Sequence, residues 1–176
     1  MLCEPEKAQA IAEKIELVFH AACIRPKLAQ RFWRKGRHEI RLHEFMPEYV
    51  FAYSKKPIDN FYTARSILGV TRIIGSFEVG YELFGEDFEF ANMLFQEQGV
   101  FGVIKVHEDE NRRIRLLESL YGNFNCEIEK VERRRGRARI SFDFDKHRQV
   151  TWVAYEVAES EFGLSNHHQC YIEKSK

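Results

Sequence analysis

Residues 127–144, EIEKVERRRGRARISFDF, constrain the fold more than any other stretch of this chain. Apolar residues fall at every second position on both sides of a glycine-bearing turn. Phe124, Cys126 and Ile128 precede it, and Ala138, Ile140, Phe142 and Phe144 come after it. A period of two belongs to a half-buried strand. The spacing therefore predicts strands over 124–131 and 137–144, joined as a hairpin with one face inward. Glu127, Glu129 and Val131 then share the opposite face with Arg137, Arg139, Ser141 and Asp143. Opposite charges across a strand pair contribute about 0.2–1 kcal/mol each, so Arg137 and Arg139 have acidic partners at hand. Arg133, Arg134 and Arg135 crowd the tip, with only Glu132 beside them. The favoured reading is a solvated hairpin whose charge is balanced from within. The alternative is nucleic-acid (RNA) binding through Arg133, Arg134, Arg135 and Arg137 in the hairpin 131–139.

Two observations weigh against that alternative. Lys plus Arg and Asp plus Glu both number 27, so the formal net charge is zero, whereas a dedicated nucleic-acid binder carries a basic excess. RGRARISF (135–142) resembles the RNP1 octamer of RNA-recognition motifs, with Arg135, Gly136, Ala138, Ile140 and Phe142 in place. The third and fifth positions of that octamer supply the rings that stack on bases; here they are Arg137 and Arg139.

Elsewhere the periodicity predicts mostly helix. Pro5 between Glu4 and Glu6 is a helix start, and Ala8, Ile11, Ile15, Val18, Phe19 and Ala22 recur at helical spacing. A second helix is expected from Pro26 through Leu28, Phe32 and Trp33 to Gly36. Residues 38–44 alternate weakly as a strand, and 47–54 fit either state. From 57 to 84 an apolar stripe of Phe61, Ala64, Ile67, Leu68, Ile73, Ile74, Phe77 and Tyr81 predicts a helix. Gly69, Gly75 and Gly80 interrupt it, each costing about 1 kcal/mol against Ala in a helix, and mark breaks or close packing. A short helix over 87–98 closes at Gly99.

The second half reads as a strand at 100–106, a helix at 109–122, the hairpin, a helix at 148–163 and a last strand at 168–174. That order is β-α-β-β-α-β, the ferredoxin-like split arrangement. The expected class is α+β, with N-terminal helices packed on a C-terminal antiparallel sheet unit. One domain, 1–176, has a helical half 1–99 and a sheet-rich half 100–176.

The sequence holds few chemical constellations. No G-x-S-x-G, Walker A loop or H-E-x-x-H is present, and the acid pairs Asp143/Asp145 and Glu159/Glu161 read as solvated. His20, Cys23, His167, His168 and Cys170 are residue types that zinc accepts, but they lack paired spacing, so no metal or cofactor is expected. The reading is therefore non-enzymatic. The acidic, amphipathic start is no signal peptide and no apolar run approaches a membrane span. Cytoplasmic surroundings with reduced thiols at Cys3, Cys23, Cys126 and Cys170 are expected. Fifteen phenylalanines point to an aromatic-rich core or pocket. Most of the stripe reads as core. Phe61, Tyr62, Phe77, Tyr81, Phe84 and His43 are the candidates for a ligand pocket, with Arg65 and Arg72 as further polar members.

The run from 114 to 176 reads as helix, the hairpin LYGNFNCEIEKVERRRGRARISFDF, a helix with Trp152 and Tyr155, then HHQCYIEK. In outline it resembles bacterial ligand-sensing domains of the 4-vinyl reductase group, and VGYELFGEDF (79–88) is punctuated by glycine in a similar way. The resemblance implies a cytoplasmic sensor or regulatory domain that binds a small apolar ligand or a protein partner, as a homodimer in many members. Some members gather several cysteines near the last strand to bind metal; Cys170 stands alone here, so no metal is carried over.

Overall fold

The computed structural model describes residues 1–75, 78, 80–117 and 124–158. The chain opens with β1 (Leu2–Cys3) and α1 (Ala8–Phe19), then β2 (Ala22–Ile24), β3 (Lys27–Arg34), β4 (Arg37–Glu44), β5 (Phe51–Tyr53) and β6 (Val70–Arg72). It continues with α2 (Gly85–Gln96), β7 (Val100–Phe101), β8 (Ile104–Glu108), β9 (Ile114–Leu116), β10 (Glu127–Glu132), β11 (Arg137–Phe144) and β12 (His147–Val157). The class is α+β. Among the described residues no helix is long and apolar enough to cross a membrane.

The predicted hairpin forms one edge of the largest sheet, whose strand order is β10-β11-β12-β8-β9. β10, β11 and β12 form an antiparallel meander, and β12 runs parallel to β8. Ala138, Ile140, Phe142 and Phe144 of β11 are all buried, as the alternation requires. One detail differs. The β10–β11 register shifts between Ile128 and Lys130, so Ile128 faces Ile140 and Val131 faces Ala138. The shift is a bulge at Glu129, and a bulge transfers the residues beyond it to the other face of the sheet. Val131 therefore packs against the core instead of sharing the glutamate face.

The other departures have the same cause: strand pairing overrides a helical reading of apolar runs. Residues 27–34 are β3, not a helix, and they pair along their length with 37–44 through a turn at Lys35 and Gly36. Residues 147–157 are β12, not the helix expected from 148, and pair along β11 through a turn at Asp145 and Lys146. Both turns have positive φ at both central residues, at Lys35 (47°) and Gly36 (77°) and at Asp145 (52°) and Lys146 (65°). That is the two-residue hairpin geometry whose twist matches the flanking strands. Val150, Thr151, Trp152, Val153, Tyr155 and Val157 are also the β-branched and aromatic types that suit a pleated surface.

The described part of the helix expected at 109–122, residues 109–117, is a turn and β9, where the Asp109 carboxylate accepts the N–H of Arg113 at 2.7 Å, and 118–122 lie outside the described residues. The strand at 100–106 divides into β7 and β8. Among the described residues of 57–84 there is a 3-10 turn, Phe61–Ser66, and then β6, rather than one helix. Gly69 shows why. Its φ of +98° is left-handed, and a Cβ there would meet Lys7 Cδ at 2.7 Å. The β-α-β-β-α-β order consequently gives way to strands throughout the described part of 100–158. The strand expected at 168–174 and the residues 159–163 lie outside the described residues.

Two buried clusters hold these elements. The larger draws on both halves of the chain, from Leu28, Phe45 and Phe51 through Phe90 and Phe101 to Phe142, Phe144 and Val153. Phe90 of α2 lies at its middle, fully buried. Its ring centroid is 4.9 Å from Phe142, 5.2 Å from Phe144, 5.6 Å from Phe124, 6.0 Å from Phe51 and 6.3 Å from Phe101. These are the offset and edge-on separations that aromatic pairs favour. The smaller cluster sets the inner side of α1, Ala8, Ile11, Ala12 and Ile15, against Val50, Ala64, Ile67 and Ile73.

Removing the Phe90 ring empties the space those rings share. Phe90→Ala is expected to lower unfolding stability by about 3–5 kcal/mol, read from urea denaturation, and Phe90→Leu by less. A loss under about 1 kcal/mol in the alanine variant would show that the cluster collapses to fill the space.

Candidate functional site

In the arginine hairpin, Glu132 stands opposite Arg137, whose Nε lies 2.7 Å from Glu132 Oε2. Arg135 reaches the same carboxylate at 3.3 Å, and Arg133 pairs with Glu108 of β8 at 2.8 Å. Arg139 pairs with Glu129 at 3.0 Å, and Arg148 bridges Glu127 (2.8 Å) and Glu129 (3.3 Å). The bulge explains this second set. It leaves Lys130 facing Arg139, like charges directly opposite, and turns Glu129 toward both arginines. The Ser141 hydroxyl and then Arg148 hold the Glu129 carboxyl below its ordinary pKa, and Arg137 does the same for Glu132. Arg137 also lies 4.5 Å from the Trp152 ring centroid, a cation–π position. The two places where an RNP1 octamer offers rings are thus held by ion-paired guanidinium groups. Arg134 is exposed on the 3-10 turn Arg133–Arg135.

The aromatic pocket candidates are not brought to one place. Phe61 and Tyr81 both border the α1 cluster, where Phe61 meets Phe19 edge-on at 5.3 Å. His43 is on the β3–β4 hairpin, with its ring 5.5 Å from Phe32. Tyr62 is 46% and Phe84 71% exposed. Phe77 lies outside the described residues. Arg72 has a different role: it pairs with Asp145.

Asp145, expected to be solvated like Asp143, is the correction of most consequence. Asp143 is exposed, but Asp145 is 5% exposed and is among the buried polar residues. Its carboxylate takes the Arg72 guanidinium and accepts the Tyr49 hydroxyl at 3.3 Å. Its backbone N–H donates to Asp87 Oδ1 of α2 at 2.8 Å. Nearby, the Met1 amino group donates to the Val50 carbonyl at 2.8 Å, and burial lowers its pKa to about 6. Burial, and then the Asp145 charge, push the Tyr49 phenol up to about 12. Burial raises the Asp87 carboxyl. Each of these partners of Asp145 belongs to another element, so this knot ties β6, α2 and the β5 approach to the β11–β12 turn. Its chemistry is that of a lock, because the carboxylate is already engaged. The residue types gave no signal for it, because Asp145–Lys146 lacks the Asn-Gly or Asp-Gly pair that marks a two-residue turn.

The thiols are quiet. Burial pushes Cys23 and Cys126 up to about 12 and raises Cys3 as well, so the nucleophilic thiolate is disfavoured at neutral pH. Among the described residues no group of three or more His, Cys, Asp or Glu is placed to hold a metal ion. His167, His168 and Cys170 lie outside the described residues.

The outer face of α2 is a surface that the sequence did not separate from the core, apart from Phe84, a pocket candidate. Its inner side buries Phe90, Ala91, Met93 and Leu94. Phe88 and Phe95, one heptad apart, are each 50% exposed, and Phe84 at the helix start continues the same side. Phe95 is braced by the Tyr53 ring at 4.7 Å, and the Tyr53 hydroxyl donates to the Ala91 carbonyl at 2.8 Å. Glu86, Glu89 and Glu97 belong to the same segment but lie about 100° or more of helical turn from this strip. None of them takes part in the ion pairs of the described residues. Large exposed aromatics on a single helical face are the kind of feature that marks an interaction site.

Asp145→Ala should cost about 2 kcal/mol in chemical denaturation, since loss of a buried charged acceptor leaves Tyr49 and Arg72 unmatched. Asp145→Asn, which keeps the turn and one acceptor, should cost less than the alanine change. For the hairpin, Arg133→Glu with Arg134→Glu should leave the affinity for single-stranded RNA and duplex DNA unchanged in filter binding. A steep salt dependence of wild-type binding that this double variant abolished would restore the nucleic-acid reading.

No protein-family model matches this chain, and neither does any curated protein.

Proposed function

We propose that this chain is a non-enzymatic regulatory module that docks a protein partner on the outer face of α2. The observation that carries the reading is the exposed strip of Phe84, Phe88 and Phe95 on a helix whose other side is locked into the core. A rigid helix presenting apolar anchors loses little conformational freedom on binding. The occupant that fits is an amphipathic segment of another protein, with apolar residues at helical spacing.

This takes the protein-partner branch of the sensor reading rather than the small-ligand branch. The separation of His43 from Phe61 and Tyr81 supports that choice, as does the mutual contact of the rings around Phe90. The free thiols of Cys3, Cys23 and Cys126 support reducing, cytoplasmic surroundings.

Random-peptide display against the full chain tests the reading. Enriched peptides are expected to share apolar residues at i, i+4 and i+7. They should lose binding by about tenfold or more to Phe88→Ser and Phe95→Ser, since anchors of this kind typically cost over about 1 kcal/mol when truncated. Retained thermal stability in those variants separates docking from folding. Failure to enrich any sequence, or enriched peptides indifferent to both variants, would sink the proposal.

A further inference from the structure

A different surface carries a second kind of partner. β4 ends the sheet whose order is β4-β3-β7, and among the described residues nothing pairs with its outer edge. Residues 39–44 are exposed, with Ile40 at 59% and Leu42 at 54%. An open strand edge presents a row of unpaired N–H and C=O groups, a template for another strand.

Which groups point outward is set by the turn. Lys35 and Gly36 form a two-residue hairpin connection, with Arg34 and Arg37 as the pair that closes it. The closing pair of such a hairpin is hydrogen-bonded, and the two kinds of pair then alternate. Glu39, Arg41 and His43 therefore bond to β3, and Ile40 and Leu42, with the backbone of His38, turn their N–H and C=O to the free edge. In an antiparallel addition, an outward residue must face an outward residue. Only registers that shift by two remain.

Charge selects among these registers. With Ile40 opposite the partner's Ile40, Glu39 faces the partner's Arg41 and Arg41 faces the partner's Glu39. Sliding by one step toward the partner's Leu42 sets Arg41 against Arg41. Sliding the other way sets Glu39 against Glu39. These charged pairs are the non-hydrogen-bonded kind, in which side chains lie closer, so the difference between registers is felt most there. Within one chain Glu39 and Arg41 pair along the same strand at 3.1 Å, and Arg41 lies 5.6 Å from the Phe32 ring centroid. Both side chains are near half exposed and free to exchange partners. The favoured register also sets Ile40 against the partner's Ile40 on the opposite face, with each Leu42 on the diagonal to it.

We propose that β4 pairs antiparallel with β4 of a second copy of this chain across a two-fold axis at Ile40. Isologous pairing of this type closes after two copies, because each edge is consumed by the other. The alternating charges then act as a filter that favours this register over the two adjacent ones. The surface is separate from the α2 face, so either proposal can fail without the other.

Sedimentation velocity of the full chain reads the outcome directly. Wild type should be a dimer that dissociates on dilution. Glu39→Arg and Arg41→Glu should each weaken it by about tenfold or more, since two pairs reverse at once. Both sites are exposed, and unchanged circular dichroism and melting would show that the fold is kept. Glu39→Arg combined with Arg41→Glu in one chain should recover the dimer. An equimolar mixture of the two single variants should form a heterodimer, because every charged pair is then complementary. A monomeric wild type, a dimer indifferent to the single changes, or a mixture that stays monomeric would each overturn the proposal.

Discussion

The Phe90 ring decides where everything else can stand. It is the side chain through which α2 meets the inward residues of β11, Phe142 at 4.9 Å and Phe144 at 5.2 Å, while Phe51 and Phe101 close on it from the first half of the chain. Dispersion between such rings is small per atom and large in sum, and it works only at close, fixed distances. That contact fixes the orientation of α2, so Phe88 and Phe95 are turned outward by the same packing that turns Phe90 inward. It also brings Asp87 within reach of the β11–β12 turn, where it accepts the Asp145 N–H.

Asp145 extends that logic into the polar part of the molecule. A buried carboxylate is costly unless it is paired and hydrogen-bonded. Here Arg72 and Tyr49 meet it, from segments that the aromatic cluster already holds nearby. The knot is therefore a consequence of the core and a check on it. A chain folded in another register would leave the carboxylate buried and unmatched, which disfavours that alternative more strongly than it stabilises the native form.

The sequence makes some of this legible and conceals the rest for identifiable reasons. The β10–β11 hairpin is readable because alternation on both strands agrees with a glycine turn. α2 is readable because its apolar spacing ends at Gly99, whose N–H reaches the Leu94 carbonyl at 2.7 Å. β3 and β12 look helical in sequence. In both, apolar residues also fall at intervals of three and four, and the turns that would settle the matter, Lys35–Gly36 and Asp145–Lys146, lack the familiar Asn-Gly signature. The bulge at Glu129 is invisible because nothing in the residue types distinguishes one extra residue from a regular strand. Among the ligand candidates, Phe61 and Tyr81 share a cluster and His43 does not join them, because the single helix over 57–84 that would gather them does not form. The exposure of Phe88 and Phe95 hides in a stripe that looks uniformly apolar, although their separation from Phe90 and Leu94 by helical angle is already present in the spacing.

The overall neutrality of the chain turns out to be local as well as global, and that shapes what its surfaces can do. The basic side chains of the β10–β11–β12 face sit against carboxylates of the same or neighbouring strands: Arg137 with Glu132, Arg139 with Glu129, Arg148 with both Glu127 and Glu129. A guanidinium committed to a carboxylate must give up that bond before it can contact a phosphate, so a dense arginine run need not make a basic surface. The β3–β4 hairpin obeys a different geometry. Its Glu39–Arg41 pair lies along one strand rather than across two, at an edge with no described neighbour. Charges paired across strands satisfy the sheet that contains them. Charges alternating along an open edge are satisfied better by a strand that is not yet there, and the chain's own sequence, read backwards past Ile40, supplies one.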